Sequence, residues 1–113
     1  MAANQDVSHC NFLHGEAMRL ASDAEWASRN EPQATNTIRC LYRKSQSLEE
    51  QAAKMAGDAE PSRSVLFRSA ASLAMSAGDE HAAIECLLHG LAGNPPAEIR
   101  AEMIQLYREI FQS

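Results

Sequence analysis

Apolar residues recur three and four positions apart along almost the whole chain, and a chain with that period folds as helices. Cys10, Leu13, Ala17, Leu20, Ala24 and Ala27 fall on one face, with Asn11, Glu16, Arg19, Asp23 and Glu25 off it. Ile38, Leu41, Ser45, Leu48, Ala52 and Met55 repeat the pattern more strictly, opposite a polar face of Arg39, Arg43, Lys44, Glu49, Glu50 and Lys54. The period breaks at Asn30-Glu31-Pro32, at Gly57 to Pro61, at Gly78-Asp79 and at Gly93 to Pro96. Glycine and proline end helices for opposite reasons, one by entering left-handed backbone and the other by excluding the α region from the residue before it. The pattern predicts five helices, at 6–29, 33–57, 61–77, 80–92 and 96–111, with residues 1–5 as a loose end.

These helices make one all-α domain, 1–113: a long hairpin (6–57), a two-helix unit (61–93) and a last helix (96–111). The short connection at Pro32 makes the first two helices antiparallel neighbours, with Pro32 near the start of the second, where its missing N–H costs nothing. Ser45 is the weak tooth of their seam. Gly57 is placed as a C-cap, Ser62 or Asp58 as the cap of the third helix, and Asp79 as the cap of the fourth. The third helix carries two apolar stripes, Leu66-Ala70-Leu73-Ala77 and Phe67-Ala71-Ala74-Gly78, so it belongs in the middle, packed on two sides. An aromatic content of only 5% suits closely approaching, alanine-lined helices better than strands.

Charge and segment composition narrow the functional classes. Ten basic residues against fifteen acidic ones give a net charge of -5, unfavourable for a nucleic-acid backbone. No apolar run approaches the roughly 18–20 residues that span a bilayer, and residues 1–16 lack the basic flank and apolar core of a secretory signal. Cys10, Cys40 and Cys86 are odd in number and widely spaced, which fits reduced thiols and a cytoplasmic location.

Catalytic and metal chemistry find little footing. Cys10 and His14, with His9 beside them, have a spacing that can hold a metal but supply two or three ligands where structural zinc wants four. Cys86 lies between His81 and His89 but on the apolar side, as a core cysteine does. Glu49-Glu50 and Asp79-Glu80 are adjacent pairs, and neighbours on a helix point apart. No phosphate-cradling glycine loop is present. The reading assigns no catalytic residue, no metal and no cofactor, and the chain is not expected to be an enzyme. The basic cluster Arg39, Arg43 and Lys44, with Arg63 and Arg68 taken to be near it, could take a carboxylate through the guanidinium fork. Trp26, one step off the first seam, is a partly buried cap over the hairpin mouth or an interface anchor.

The stretch Ser64 to Ala97 resembles one tetratricopeptide repeat, whose period is about 34 residues. With Gly78-Asp79 as its turn, Phe67 falls on the early aromatic position and Ala71 and Ala83 on the small positions of the two helices. Leu87 takes the later large position, Gly90 the last small one and Pro95 the closing proline. Ala70 and Ala74 depart from the pattern, standing where it has a large residue and an aromatic. The segment from Ile38 to Ala56 resembles more loosely the second helix of such a repeat, and also that of the microtubule-interacting-and-trafficking hairpin. The last helix looks like the cap that ends many such arrays. The resemblance implies a protein or peptide partner, bound on the concave side in a groove between the first and third helices. Val65, Arg68, Ser72, Met75 and Ser76 would face it, with Arg68, Ser72, Met75 and Ser76 as the contact residues and Arg39 and Arg43 as electrostatic contributors. Two other readings stay open: a structural homodimer paired through the long hairpin, and a small metal-binding protein built on His9, Cys10 and His14.

Overall fold

The structure, a computed structural model, describes residues 2–112, with side chains described from Val7 onward. It holds five helices: α1 (Ala2–Asn30), α2 (Thr35–Met55), α3 (Ser62–Ser76), α4 (Glu80–Ala92) and α5 (Ala97–Gln112). Among the described residues there is no strand. The helices pack largely in chain order, α1 on α2, α2 on α3, α3 on α4 and α4 on α5, with α3 also touching α5. The fold is therefore all-α, antiparallel hairpins stacked side by side with a fifth helix closing the end.

Residues 2–5, expected to be loose, belong to α1. Nothing among Ala2, Ala3, Asn4 and Gln5 breaks a helix, and alanine and glutamine favour one. At about 1.5 Å per residue, α1 is about 43 Å long, close to the molecule's longest dimension of 44 Å. It ends where Glu31 N donates to Ala27 O (2.7 Å), just before Pro32. Pro32 does not open α2. It sits in a turn closed by Ala34 N on Glu31 O (2.9 Å), and α2 starts at Thr35.

The later boundaries show their chemistry. Gly57 (φ 61°) and Gly78 (φ 74°) both take left-handed backbone, which a side chain would strain. After α3, Gly78 N donates to Met75 O and Asp79 N to Ala74 O, closing the last turn as a Schellman motif. Asp79 Oδ1 then accepts from Ala82 N at 3.0 Å and caps α4 as expected. The cap of α3 is different: neither Ser62 nor Asp58 supplies it. Pro61 occupies the cap position with no side-chain bond, and Glu60 reaches over to accept from both Ser64 N (3.0 Å) and Ser64 Oγ (2.8 Å).

Side-chain size decides how closely the helices meet. Ala17 and Ala24 of α1 and Ala52 and Ala53 of α2 are fully buried. Ser45 is not a weak point. It is fully buried, and its Oγ donates to Ala17 O at 2.6 Å, tying α2 to the backbone of α1. Such a bond contributes about 1 kcal/mol net, and leaving its partners buried and unpaired would cost more. α3 lies in the middle as its two stripes predict, with Leu66, Phe67, Ala70, Ala71, Leu73 and Ala74 all buried. Phe67, Leu87 and Met103 form the heart of the core where α3, α4 and α5 meet. Gly90 makes that meeting possible, since a Cβ there would lie 2.6 Å from Met103 Sδ and 3.1 Å from Phe67 Cβ.

Candidate functional site

α1 and α3 stand on either side of the C-terminal end of α2, and a groove of about 550 Å³ opens between them. Val7, Cys10, Asn11 and His14 line it from α1; Met55, Ala56, Gly57 and Ala59 floor its end; Ser62, Val65 and Leu66 close it from α3. The volume falls in the range of small-molecule and side-chain pockets. The groove is apolar in its walls, with polar atoms only from Asn11, His14, Ser62 and Cys10 and the backbone.

Beneath it lies a buried carboxylate. Glu49 on α2 has no exposed side-chain surface, and each oxygen has one partner. Oε1 is 2.7 Å from His14 Nδ1 on α1, and Oε2 accepts from Ser69 Oγ on α3 at 2.6 Å. One side chain thus ties three helices together. Among the described residues no buried side-chain polar atom lacks a partner. By sequence Glu49 belongs to the polar face of its helix. That face turned out not to be free, because α2 packs on α1 along one side and on α3 along the other. The signal was present: Glu49 stands four residues after Ser45 and three before Ala52, in step with the seam.

The order of the three groups governs their chemistry. An ionised carboxylate only accepts, so His14 donates to Glu49 through its Nδ1–H. His14 keeps 46% of its side-chain surface and lines the groove, with Nε2 as its remaining polar atom. Ser69 bonds to Glu49 and not to the imidazole, so this is not the nucleophile–base–orienter order that activates a serine. Cys10 Sγ donates to Ala52 O at 3.3 Å, and burial, with the charge of Glu49, pushes its thiol up, away from the reactive thiolate. Cys86 is further removed, its thiol pushed up to about 12 chiefly by burial.

The structure separates other residues that the sequence set near one another. His9 stacks on Phe12 at 6.5 Å between centroids, and among the described residues no three His, Cys, Asp or Glu side chains converge as metal ligands. His81 pairs with Glu85 on the surface of α4 (2.8 Å), and His89 stacks on Phe67 (5.7 Å), so neither addresses Cys86. Trp26, near the C-terminal end of α1, is 55% exposed.

The proposed contact residues divide. Val65 lines the α1–α3 groove. Arg68 turns the other way and is ion-paired with Glu102 of α5. With Ser72 it lines a shallow, open depression shared with Ala101, Glu102, Gln105 and Leu106. Met75 and Ser76 are exposed one turn further along α3, near its C-terminal end. Arg39 lies against the Gly78 turn, its guanidinium about 3.7 Å from where a Cβ would stand. It is sixteen residues, about 24 Å, along α2 from Met55 and the groove; Arg43 is exposed one turn closer. Arg63 does not join them. It caps the far end of α4, donating to His89 O (2.7 Å) and Gly90 O (3.3 Å) while lying 4.9 Å over the Phe67 ring.

Comparison of the chain with family models, curated proteins and solved structures finds no match.

Proposed function

We propose that this chain is a non-catalytic interaction module, similar to a tetratricopeptide repeat, which seats a segment of a protein partner in the groove between α1 and α3. The single observation that carries the reading is that groove: apolar walls from two helices and a few polar atoms at its side. Helical surfaces of this kind bind peptides by burying side chains and fixing their orientation with a small number of hydrogen bonds. The repeat-like reading of α3 and α4 is supported by the burial of Phe67, Ala71, Ala83 and Leu87 and by the close approach at Gly90. A cytoplasmic setting accords with three free cysteines. Among the described residues, no helix is long and apolar enough to cross a membrane.

The test is selection from a random displayed-peptide library against the whole chain, followed by affinity measurement on the selected peptides. Ala59 is exposed and lines the groove, so Ala59→Trp fills it without entering the core. Peptides that bind the wild type and lose tenfold or more on Ala59→Trp support the reading. Peptides indifferent to the plug overturn the groove as the site.

A further inference from the structure

The outermost helix of a stacked array keeps the array soluble by turning a polar face to water. α5 does so on one side only. Glu98, Glu102 and Glu109 fall together on that side, and Glu102 is held there by Arg68 of α3. The opposite side carries Arg100, Ile104, Tyr107 and Phe111, spaced by four, three and four residues and so aligned in one stripe. Phe111 is 63% exposed and Arg100 is exposed, while Ile104 and Tyr107 are half-buried. The rings of Tyr107 and Phe111 meet at a tilt, 4.9 Å between centroids. With Arg108 and Gln112 they wall a shallow depression of about 440 Å³. Among the described residues neither Arg100 nor Arg108 has an ion-pair partner.

A spacing of four, three and four reads the same in both directions. Laid antiparallel on a second α5, the stripe therefore matches itself: Arg100 of each copy stands opposite Phe111 of the other, and Ile104 opposite Tyr107. A guanidinium on an aromatic face is an attractive pair, and an aliphatic chain on a ring buries apolar surface. Charge favours the same face. Each copy carries a net charge of -5, and two such copies approach most easily where the surface holds no acid. The three glutamates of α5 stay on the far side, and Arg108 stands at the edge of the seam in water. We infer that two copies of this chain pair through α5, antiparallel about a two-fold axis, with Arg100 of each seated in the Tyr107–Phe111 depression of the other. The pairing is through α5 and not through the long hairpin, and none of its residues lines the α1–α3 groove.

Sedimentation velocity of the whole chain from about 10 μM to about 1 mM is expected to show monomer giving way to dimer, since so small a contact belongs to the weak class. Arg100→Ala and Phe111→Ala change exposed side chains and leave the core intact. By symmetry each removes the contact of guanidinium on ring twice, and each is expected to raise the dissociation constant tenfold or more. An equimolar mixture of the two variants separates this register from any other. Its mixed dimer keeps one intact contact, Arg100 of the Phe111→Ala chain on Phe111 of the Arg100→Ala chain. The mixture is therefore expected to dimerise at least threefold more tightly than either variant alone. A wild type that stays monomeric to about 1 mM overturns the inference, as does a dimer that neither variant weakens. A mixture no tighter than the single variants overturns the pairing of Arg100 with Phe111.

Discussion

His14 Nδ1 lies 2.7 Å from Glu49 Oε1, which fastens a half-exposed imidazole on α1 to a carboxylate on α2 that has no contact with solvent. Ser69 Oγ completes the arrangement from α3 at 2.6 Å. The pair sets a polar group in the α1 wall of the groove and links the first three helices through one carboxylate.

Glu49→Ala is expected to cost about 1–3 kcal/mol, because it leaves Ser69 and His14 without their acceptor. Glu49→Gln should cost distinctly less, since its amide can still accept from Ser69. Urea unfolding of the two variants checks this. A loss below about 1 kcal/mol for Glu49→Ala would mean that water reaches the site.

Two glycines are expected to respond in opposite directions. Gly15 is exposed within α1, and an added Cβ would meet nothing within 4 Å. Gly15→Ala should stabilise by about 0.5–1 kcal/mol through helix propensity. Gly90→Val would drive side-chain atoms into Met103 and Phe67, both buried, and should destabilise by about 1–3 kcal/mol. Thermal unfolding midpoints of the two variants should move apart from the wild type, one up and one down.

The three thiols should differ in reactivity. Cys40 is exposed and is expected to react first with an aromatic disulfide reagent at pH 8. Cys10, partly buried with its thiol pushed up, should follow slowly, and Cys86 only on unfolding. The Cys86 thiol rises from its ordinary 9.0 to about 12 in the folded chain. The native state therefore holds that proton more tightly than the unfolded state does. Its contribution is fully present below about pH 9 and is lost as pH rises from there toward 12. Urea midpoints between pH 8 and 11 should fall for the wild type and fall less for Cys86→Ala, measured against its own value at pH 8.

Arg68 and Glu102 join α3 to α5 at a partly exposed ion pair. Glu102→Ala should cost about 0.2–1 kcal/mol, the range of surface pairs, with the loss shrinking in high salt. It also frees the Arg68 guanidinium. If the shallow α3–α5 depression took a partner's carboxylate, Glu102→Ala would strengthen the binding of selected peptides; with the α1–α3 groove as the site, their affinity stays within about twofold.

The helices were legible because their seams follow a simple period and glycine, proline and aspartate mark the breaks. Asp79 and Gly78 could be assigned their roles from residue type alone. The central place of α3 followed from its two apolar stripes. What could not be read was pairing between elements. Glu49 looks like any surface glutamate until α3 is laid against α2, and Ser45 looks like a flaw until the carbonyl of Ala17 is opposite it. Arg68 was expected to face the groove with Val65, but it turns to the α5 side, where its partner is Glu102, thirty-four residues away. Period and residue type report what one helix needs. They do not report which partner a polar side chain will find on another.

Packing in chain order has a consequence for synthesis. Every contact between α1 and α2 is available once the ribosome has released residue 56, and each later helix adds to a surface already formed. At about 5–20 residues per second, residues 57–113 take about three to eleven seconds to make. During that interval the nascent hairpin still has its α3-facing side in water, and Glu49 stays hydrated there until Ser69 emerges to meet it.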